Sequence, residues 1–302
     1  DLHKEYRRQR QMCIRDSNEW SDFLLRNKIF LSILIIISLL IGCDKKSLLS
    51  IHMIDVGQGD SILVQTPTNK NILIDEGDED SENIIISYLR QKRIKTIDII
   101  IATHPDSDHI GSLDNIIKKF NVNSIYMPEQ STDSEAYQNL INSCTDKNLS
   151  IQHLYKNDVL NIDNNINIYV LSPSYIQEES NLNSIVFKLT FNDNSFLFMG
   201  DAEEENEKEI LHSFKLNNIN FIKIGHHGSN SSSSLEFIKK ISPDIAAISC
   251  GYKNQYGHPH REVINNLKQN HVSIYRTDRI GDIVFYSDGE IIFTKYNYEI
   301  DT

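Results

Sequence analysis

His104-Pro105-Asp106-Ser107-Asp108-His109 puts four groups able to hold a metal ion within six residues. Imidazole and carboxylate together suit zinc, manganese and similar divalent ions. Aspartates at a helix start also cap free amides and favour the helix dipole. Capping does not need two histidines five residues apart, so the pattern points to ligation. Asp201, in Met199-Gly200-Asp201-Ala202-Glu203, offers another carboxylate, and His226-His227-Gly228-Ser229 and Gly257-His258-Pro259-His260 offer further imidazoles. Packing alone does not account for His104, His109, His226, His227 and His258 in loops beside Asp106, Asp108 and Asp201.

These groups need elements to bring them together. Residues 97–103 are nearly all apolar and read as a strand buried on both faces, ending at His104. Similar strands at 195–199, 220–224 and 245–249 lead to Asp201, to His226-His227 and to His258. Loops after such strands gather on one side of a layered α/β domain. Earlier, strands at 51–56, 61–65 and 71–75 are joined by Gly57-Gln58-Gly59 and Thr66-Pro67-Thr68-Asn69 turns. Helices are expected at 81–91, 112–120, 134–147, 203–211, 235–240 and 261–270. A strand is expected at 124–127, hairpin strands within 151–172, and further strands at 185–190, 273–275, 282–286 and 291–296. Two sets of strands, each with helices, predict two sheets packed face to face with helices outside.

The chain has 302 residues, 39% hydrophobic and 24% charged, a globular composition. A net charge of −12 denies it the broad basic surface of a general nucleic-acid binder. Lys118-Lys119 and Lys239-Lys240 read as solvated helix faces. Four cysteines exclude a disulfide scaffold, and Cys144 and Cys250 could pair or stay free. Residues 1–20 are polar, without apolar periodicity, and read as a non-native or disordered leader. Arg26-Asn27-Lys28 precedes an apolar run at 29–41, which is short for a membrane span and suits a signal peptide at 21–42. Leu40-Ile41-Gly42-Cys43 resembles a bacterial lipobox, which implies lipid on Cys43 and anchoring at the extracellular face of the cytoplasmic membrane. The folded domain is then 47–302.

The motifs together resemble the metallo-β-lactamase-fold hydrolase domain, in the subgroup of the ComEC competence protein. The matching stretches are Ile54-Asp55-Val56-Gly57-Gln58-Gly59-Asp60, Leu73-Ile74-Asp75, 103–111, Asn183-Ser184, 198–203, 223–229, 256–260 and Arg276-Thr277-Asp278. The resemblance implies an α/β fold, a four-layer αββα sandwich, with two divalent ions, zinc or manganese, at one edge of the sheets. It assigns His104 and Asp106 to the first ion, Asp108, His109 and His258 to the second, and Asp201 to a bridge. Asn183 stands where the superfamily has a further histidine of the first site, and Asp106 stands at the second histidine of His-x-His-x-Asp-His. Oxygen donors in place of imidazoles favour a harder ion such as manganese. Asp75, at a strand end, would support the metal loop. Asp60, on the Gly-rich 56–60 loop, joins it as support, although that loop also reads as a simple tight turn. His226 and His227 would contact the substrate's leaving or anionic group or supply a proton, and Asp108 would share in catalysis.

Water activated by the metals would then attack a phosphodiester, DNA among the candidates, and the chain would be a surface-anchored phosphodiesterase or nuclease. One alternative is an esterase for phosphorylcholine on cell-surface phosphodiesters, with Tyr175, Tyr252 or Tyr256 against the quaternary ammonium. Another is a metal-binding lipoprotein without activity. No protein partner is deducible.

Overall fold

Most strands in this chain carry apolar side chains on both faces, which requires a covered surface on each side. The computed structural model, which describes residues 48–296, supplies both coverings. The first half runs β1 (Leu49–Met53), β2 (Ser61–Gln65), β3 (Asn71–Glu76), α1 (Glu82–Gln91), β4 (Thr96–Ile97) and β5 (Ile99–Ile101). It continues with α2 (Ser107–Ile110), α3 (Leu113–Lys119), β6 (Asn121–Val122), β7 (Ile125–Met127), α4 (Glu135–Asp146) and β8 (Ile151–His153). The second half is β9 (Val159–Asp163), β10 (Ile166–Ser172), β11 (Val186–Phe191), β12 (Asn194–Phe198), α5 (Glu204–Ser213), β13 (Phe221–Lys223) and α6 (Leu235–Ile241). After it come β14 (Ile245–Ile248), α7 (Arg261–Gln269), β15 (Ser273–Arg276), α8 (Thr277–Ile280), β16 (Ile283–Ser287) and β17 (Ile292–Thr294).

Among the described residues, one eight-stranded sheet has the order β17-β16-β1-β2-β3-β5-β7-β8 and one seven-stranded sheet the order β15-β14-β13-β12-β11-β10-β9. Alternate residues of each strand enter different cores. Ile51, Ile62, Val64, Ile72 and Ile74 meet Phe187, Leu189, Phe196, Phe198 and Phe221 between the sheets. Leu63, Leu73 and Ile100 pack instead on the helical layer containing Ile85, Leu89, Leu113, Ile116 and Leu140. Val186, Leu197, Ile222 and Ile248 do the same against Ile210, Phe237, Ile238, Val263 and Leu267. Three cores separated by two sheets make the four-layer αββα sandwich of the metallo-β-lactamase fold.

Several expected boundaries differ. The strand at 97–103 is divided at Asp98, whose carboxylate accepts the Asn71 amide at 2.9 Å. β4 leaves to pair with β6, while β5 stays in the main sheet. Residues 151–172 do not form a single hairpin. β8 pairs with β7 in one sheet, and β9 and β10 pair in the other. The last expected strand shortens to Ile292–Thr294. Cys144 and Cys250 are buried free thiols in different helical-side cores, so they do not pair. Among the described residues no helix is long and apolar enough to cross a membrane. The leader at 1–20, the signal peptide at 21–42 and Cys43 lie outside the described residues.

Candidate metal centre

The site forms where β3, β5, β12, β13 and β14 end. Asp75 is the extra residue of a β-bulge, since the β2–β3 register passes from Ser61↔Glu76 to Ile62↔Ile74. Its φ of 54° accompanies that kink. Bulges turn a side chain away from its strand face, and here the fully buried carboxylate meets the loop after β5. Asp75 Oδ1 accepts the Thr103 amide at 2.7 Å, and Oδ2 accepts the Thr103 hydroxyl at 2.8 Å and His109 Nδ1–H at 2.9 Å.

These bonds determine the histidine tautomers. His109 must carry its proton on Nδ1 to bond a carboxylate, which leaves Nε2 bare. Thr103 has given its one proton to Asp75, so its oxygen accepts from His104 Nδ1 at 3.1 Å. His227 Nδ1 faces the Ser249 carbonyl at 3.0 Å, an acceptor only. All three rings therefore turn an unprotonated Nε2 toward the site in their neutral state.

The Nε2 atoms converge on two carboxylates. His109 Nε2 lies 3.3 Å from Asp201 Oδ1 and 4.0 Å from Asp108 Oδ2. His227 Nε2 lies 3.4 Å from both Asp108 Oδ2 and Asp201 Oδ2. Four donors on a zinc ion with bonds of ~2.0–2.1 Å would be ~3.3–3.4 Å apart at tetrahedral angles. His109 Nε2, His227 Nε2 and Asp201 Oδ1 are also buried and make no hydrogen bond. Buried polar atoms without partners are costly, and a cation among these four residues would satisfy them. The residues fit a divalent metal ion.

His104 and Asp106 adjoin this group. Their Nε2 and Oδ2 atoms are 3.5 Å apart, and the His104 and His109 rings lie 4.1 Å apart. Asp106 sits at the start of α2, yet its carboxylate makes no capping bond. On the other side, His226 and His227 hold φ of 46° and 53°, followed by Gly228 at 84°. Left-handed backbone in successive residues is strained and occurs where the surroundings enforce it. The kink buries His227 and leaves the His226 side chain 25% exposed. His226 Nε2 is 3.8 Å from Asp201, while its Nδ1 is 3.2 Å from both Glu203 Oε1 and Ser231 Oγ.

Two sequence assignments change. His258 was expected in the second ion's set, but His227 is the imidazole within ligand distance of Asp108, His109 and Asp201. His258 lies outside it, its ring 6.3 Å from that of His227. Asn183 is fully buried, but its amide is committed elsewhere: Oδ1 accepts the Gln177 amide at 2.7 Å, and Nδ2 donates to Gln177 O and Gln130 Oε1. Asn183 thus braces the 177–183 loop.

Lys223 was not foreseen as a site residue. It ends β13 with 1% exposure, paired with Asp60, donating to Gly200 O at 3.0 Å and lying 3.9 Å from Asp201 Oδ1. Its one sequence signal is a lysine closing the apolar strand Phe221-Ile222-Lys223. Glu203, Ser231, Thr103 and Ser249 were likewise missed, because each acts through a partner distant in sequence or through backbone.

The electrostatics follow from burial and crowding. Burial opposes charge on His109 and His227, but Asp201 first, then Asp75 for one and Asp60 for the other, outweigh it and hold both pKa values well above the ordinary one. Burial likewise opposes the Asp201 carboxylate, and His227 and His109 hold its pKa well below normal. Lys223 and then His227 outweigh burial at Asp60 and lower its pKa. His258 falls to about 4 through burial and the neighbouring His227 and His226. Glu76, fully buried, is raised well above normal by burial and by Asp75.

A family model described as the metallo-beta-lactamase superfamily matches residues 54–136, which include the His104–His109 motif. ComE operon protein 3 of Bacillus subtilis is 32% identical over 253 residues, covering 78% of this chain and 32% of its own length. Competence protein ComA of Neisseria gonorrhoeae is 28% identical over 238 residues, covering 76% of this chain and 31% of its own. The chain thus spans about a third of these relatives. Among solved structures, the metallo-beta-lactamase fold protein YhfI from Bacillus subtilis aligns with a TM-score of 0.51 at 12% identity, over 79% of this chain and 100% of that one. With the sandwich, the donor cluster at its strand ends and these likenesses in agreement, the chain carries a metallo-β-lactamase domain, with the hydrolase fold of that superfamily.

Proposed function

We propose that this domain is a metal-dependent phosphodiesterase acting on DNA or a related nucleotide phosphodiester, anchored outside the cell by lipid on Cys43. The observation that carries the reading is the convergence of the buried His109 and His227 Nε2 atoms on Asp108 and Asp201. His104 and Asp106 would hold a first ion, Asp108, His109 and His227 a second, and Asp201 would lie between them. When bound, such ions supply Lewis acidity toward water and toward an anionic phosphoryl group. A phosphodiester gains most from that arrangement, because charge develops on its oxygens in the transition state. Likeness to competence-protein domains supports a DNA substrate.

The chain's own residues do the positioning. Asp75 and the Ser249 carbonyl hold the rings of His109 and His227 with Nε2 inward. Lys223 keeps Asp60 ionised behind the site and, through Gly200 O, steadies the turn that presents Asp201. His226 is held through Nδ1 by Glu203 Oε1 at 3.2 Å, which leaves Nε2, 3.8 Å from Asp201 Oδ2, as the nitrogen that would supply a proton. That proton goes to the departing oxygen of the substrate.

The test is hydrolysis of bis-p-nitrophenyl phosphate by the purified full chain, stripped of metal and reloaded with Mn²⁺ or Zn²⁺. Turnover that requires metal and vanishes in His109→Ala is the expected result. Metal binding without turnover of this or any nucleotide diester refutes the phosphodiesterase reading. Absence of metal binding refutes the catalytic site altogether.

A further inference from the structure

The loop between β14 and α7 presents tyrosines that the core does not use. Tyr252 is 66% exposed and Tyr256 55%. The loop is nonetheless well tied. Asn254 Oδ1 accepts the amides of Tyr256 and His258 at 3.2 and 2.9 Å, and its Nδ2 donates to the carbonyls of Gly251 and His258 at 2.9 and 2.6 Å. Gly251 N–H donates to Gln58 Oε1 at 3.3 Å, and a Cβ on Gly251 would meet Gln58 N at 2.9 Å. The loop is therefore pressed against residues 57–58, near Asp60, whose amide donates to Asp108 O at 3.4 Å. The backbone that carries Tyr256 is fixed on the side of the domain where Asp60 and Asp108 meet.

The rings form a series leading outward. His227 belongs to the cluster, and the His258 ring lies 6.3 Å from it at an interplanar angle of 26°. Tyr256 stacks on His258 at 5.6 Å and 25°. The Tyr256 ring thus lies nearly parallel to that of His258, and the residue stays 55% exposed. Tyr252 is not in this series; its contact is Lys253 Nζ, 5.2 Å over the ring.

Resting on the phosphodiesterase reading, we propose that Tyr256 is a stacking subsite for the nucleobase adjoining the scissile phosphate. A preorganised aromatic face binds any base through its π surface, so the subsite selects nucleotides over other phosphodiesters without selecting sequence. It also reconciles a nucleotide substrate with a chain of net charge −12. Stacking does not depend on counterion release, so recognition here is less salt-sensitive than binding through a basic groove.

The experiment compares thymidine 5′-p-nitrophenyl phosphate with methyl p-nitrophenyl phosphate and p-nitrophenylphosphorylcholine, using the metal-loaded full chain. In parallel, calorimetry measures binding of thymidine 5′-monophosphate. The wild type is expected to prefer the thymidine ester in kcat/KM. Tyr256→Ala should reduce that preference ~5- to ~150-fold, through KM, and weaken nucleotide binding by a similar factor. Tyr256→Phe should retain both, since the ring and not the hydroxyl stacks. A preference unchanged in Tyr256→Ala, or absent in the wild type, overturns the subsite. Loss of preference for the choline ester alone also overturns it and assigns the ring to a quaternary ammonium group. Should the wild type turn over none of the esters, the phosphodiesterase reading fails. Calorimetry then decides the subsite separately: nucleotide binding lost in Tyr256→Ala supports it, and binding that is absent or unaffected overturns it.

Discussion

Replacing Asp75 by Asn tests whether a buried carboxylate sets the donor atom of His109. The change keeps the side chain's shape, and asparagine tolerates the 54° φ at this bulge. Thr103 N–H, 2.7 Å from Oδ1, requires an acceptor, so the new carbonyl oxygen takes that position. The new amide then occupies the place of Oδ2, facing His109 Nδ1 and the Thr103 hydroxyl, both donors to Asp75. His109 can meet it by accepting at Nδ1, but its proton then moves to Nε2, the atom aimed at Asp201. Restoring a bare Nε2 sacrifices a charge-assisted hydrogen bond of ~1.5–3 kcal/mol. At ~1.4 kcal/mol per factor of ten, metal affinity falls ~10- to ~140-fold, in line with the ~10- to ~100-fold usual for such supporting partners. The assay is competition with a chelator for Zn²⁺ or Mn²⁺, with circular dichroism to establish that the variant is folded. A folded variant with unchanged affinity refutes the tautomer argument.

Raised pKa values on His109 and His227 mean that both are charged in the metal-free protein, so binding a cation must expel their protons. Metal affinity should fall as pH falls, and calorimetry in buffers of different ionisation enthalpy should detect the proton release; none detected refutes the assignment. Without metal, the stabilisation from these histidines is complete below about pH 6.5 and lost as pH rises through their raised pKa values, so Tm declines on the alkaline side. Asp201 and Asp108, both held low, contribute above about 3.8 and lose that contribution as pH falls through their depressed values, giving a second decline on the acid side. Lys223→Met leaves Asp60 buried without its cation and should cost ~3–5 kcal/mol in urea unfolding; Asp60→Asn with Lys223→Met should recover much of it, and a single variant of wild-type stability contradicts the pairing. Gly59→Ala places a Cβ 2.6 Å from the Asp108 carbonyl at a φ of 136°, so Tm and metal affinity should both drop, the strain being ~1–3 kcal/mol. Unchanged values for both would show that the loop gives way freely.

What could be read in the sequence was whatever is encoded locally. The apolar runs of β3, β12 and β13 end where polar residues begin, so the sequence itself puts Asp75, Asp201 and His226-His227 at or just past strand ends. His104, Asp106, Asp108 and His109 lie within one turn and were found as a unit. The choice between His227 and His258 was different in kind. It depends on a left-handed kink at 226–228 and on Ser249 O, neither of which spacing reports. Lys223 and Asp60 are far apart in the chain and meet only after both sheets have assembled. Asn183 has the right residue type near the right place, and only its bonds to Gln177 and Gln130 show how it is used. Tyr252 and Tyr256 are offered by the sequence as contacts for a quaternary ammonium, but that they are exposed, and that Tyr256 alone stacks on His258, only the structure shows.

The double-sided apolar strands have a consequence for how the chain finds its pairing. In a sheet with one wet face, a slip of one residue exposes the hydrophobic side and is punished at once. β2, β3 and β5 have no wet face, so such a slip would exchange one oily surface for another. The penalty must come from the strand ends, where a shift of one residue would draw Asp75 into the layer occupied by Ile74 or Lys223 into the layer occupied by Ile222. The bulge at Asp75 adds a fixed mark that only one alignment accommodates. The polar residues of the site thus serve as the alignment code of the sheets, and a substitution chosen to abolish chemistry here is also an edit to the instructions for strand pairing.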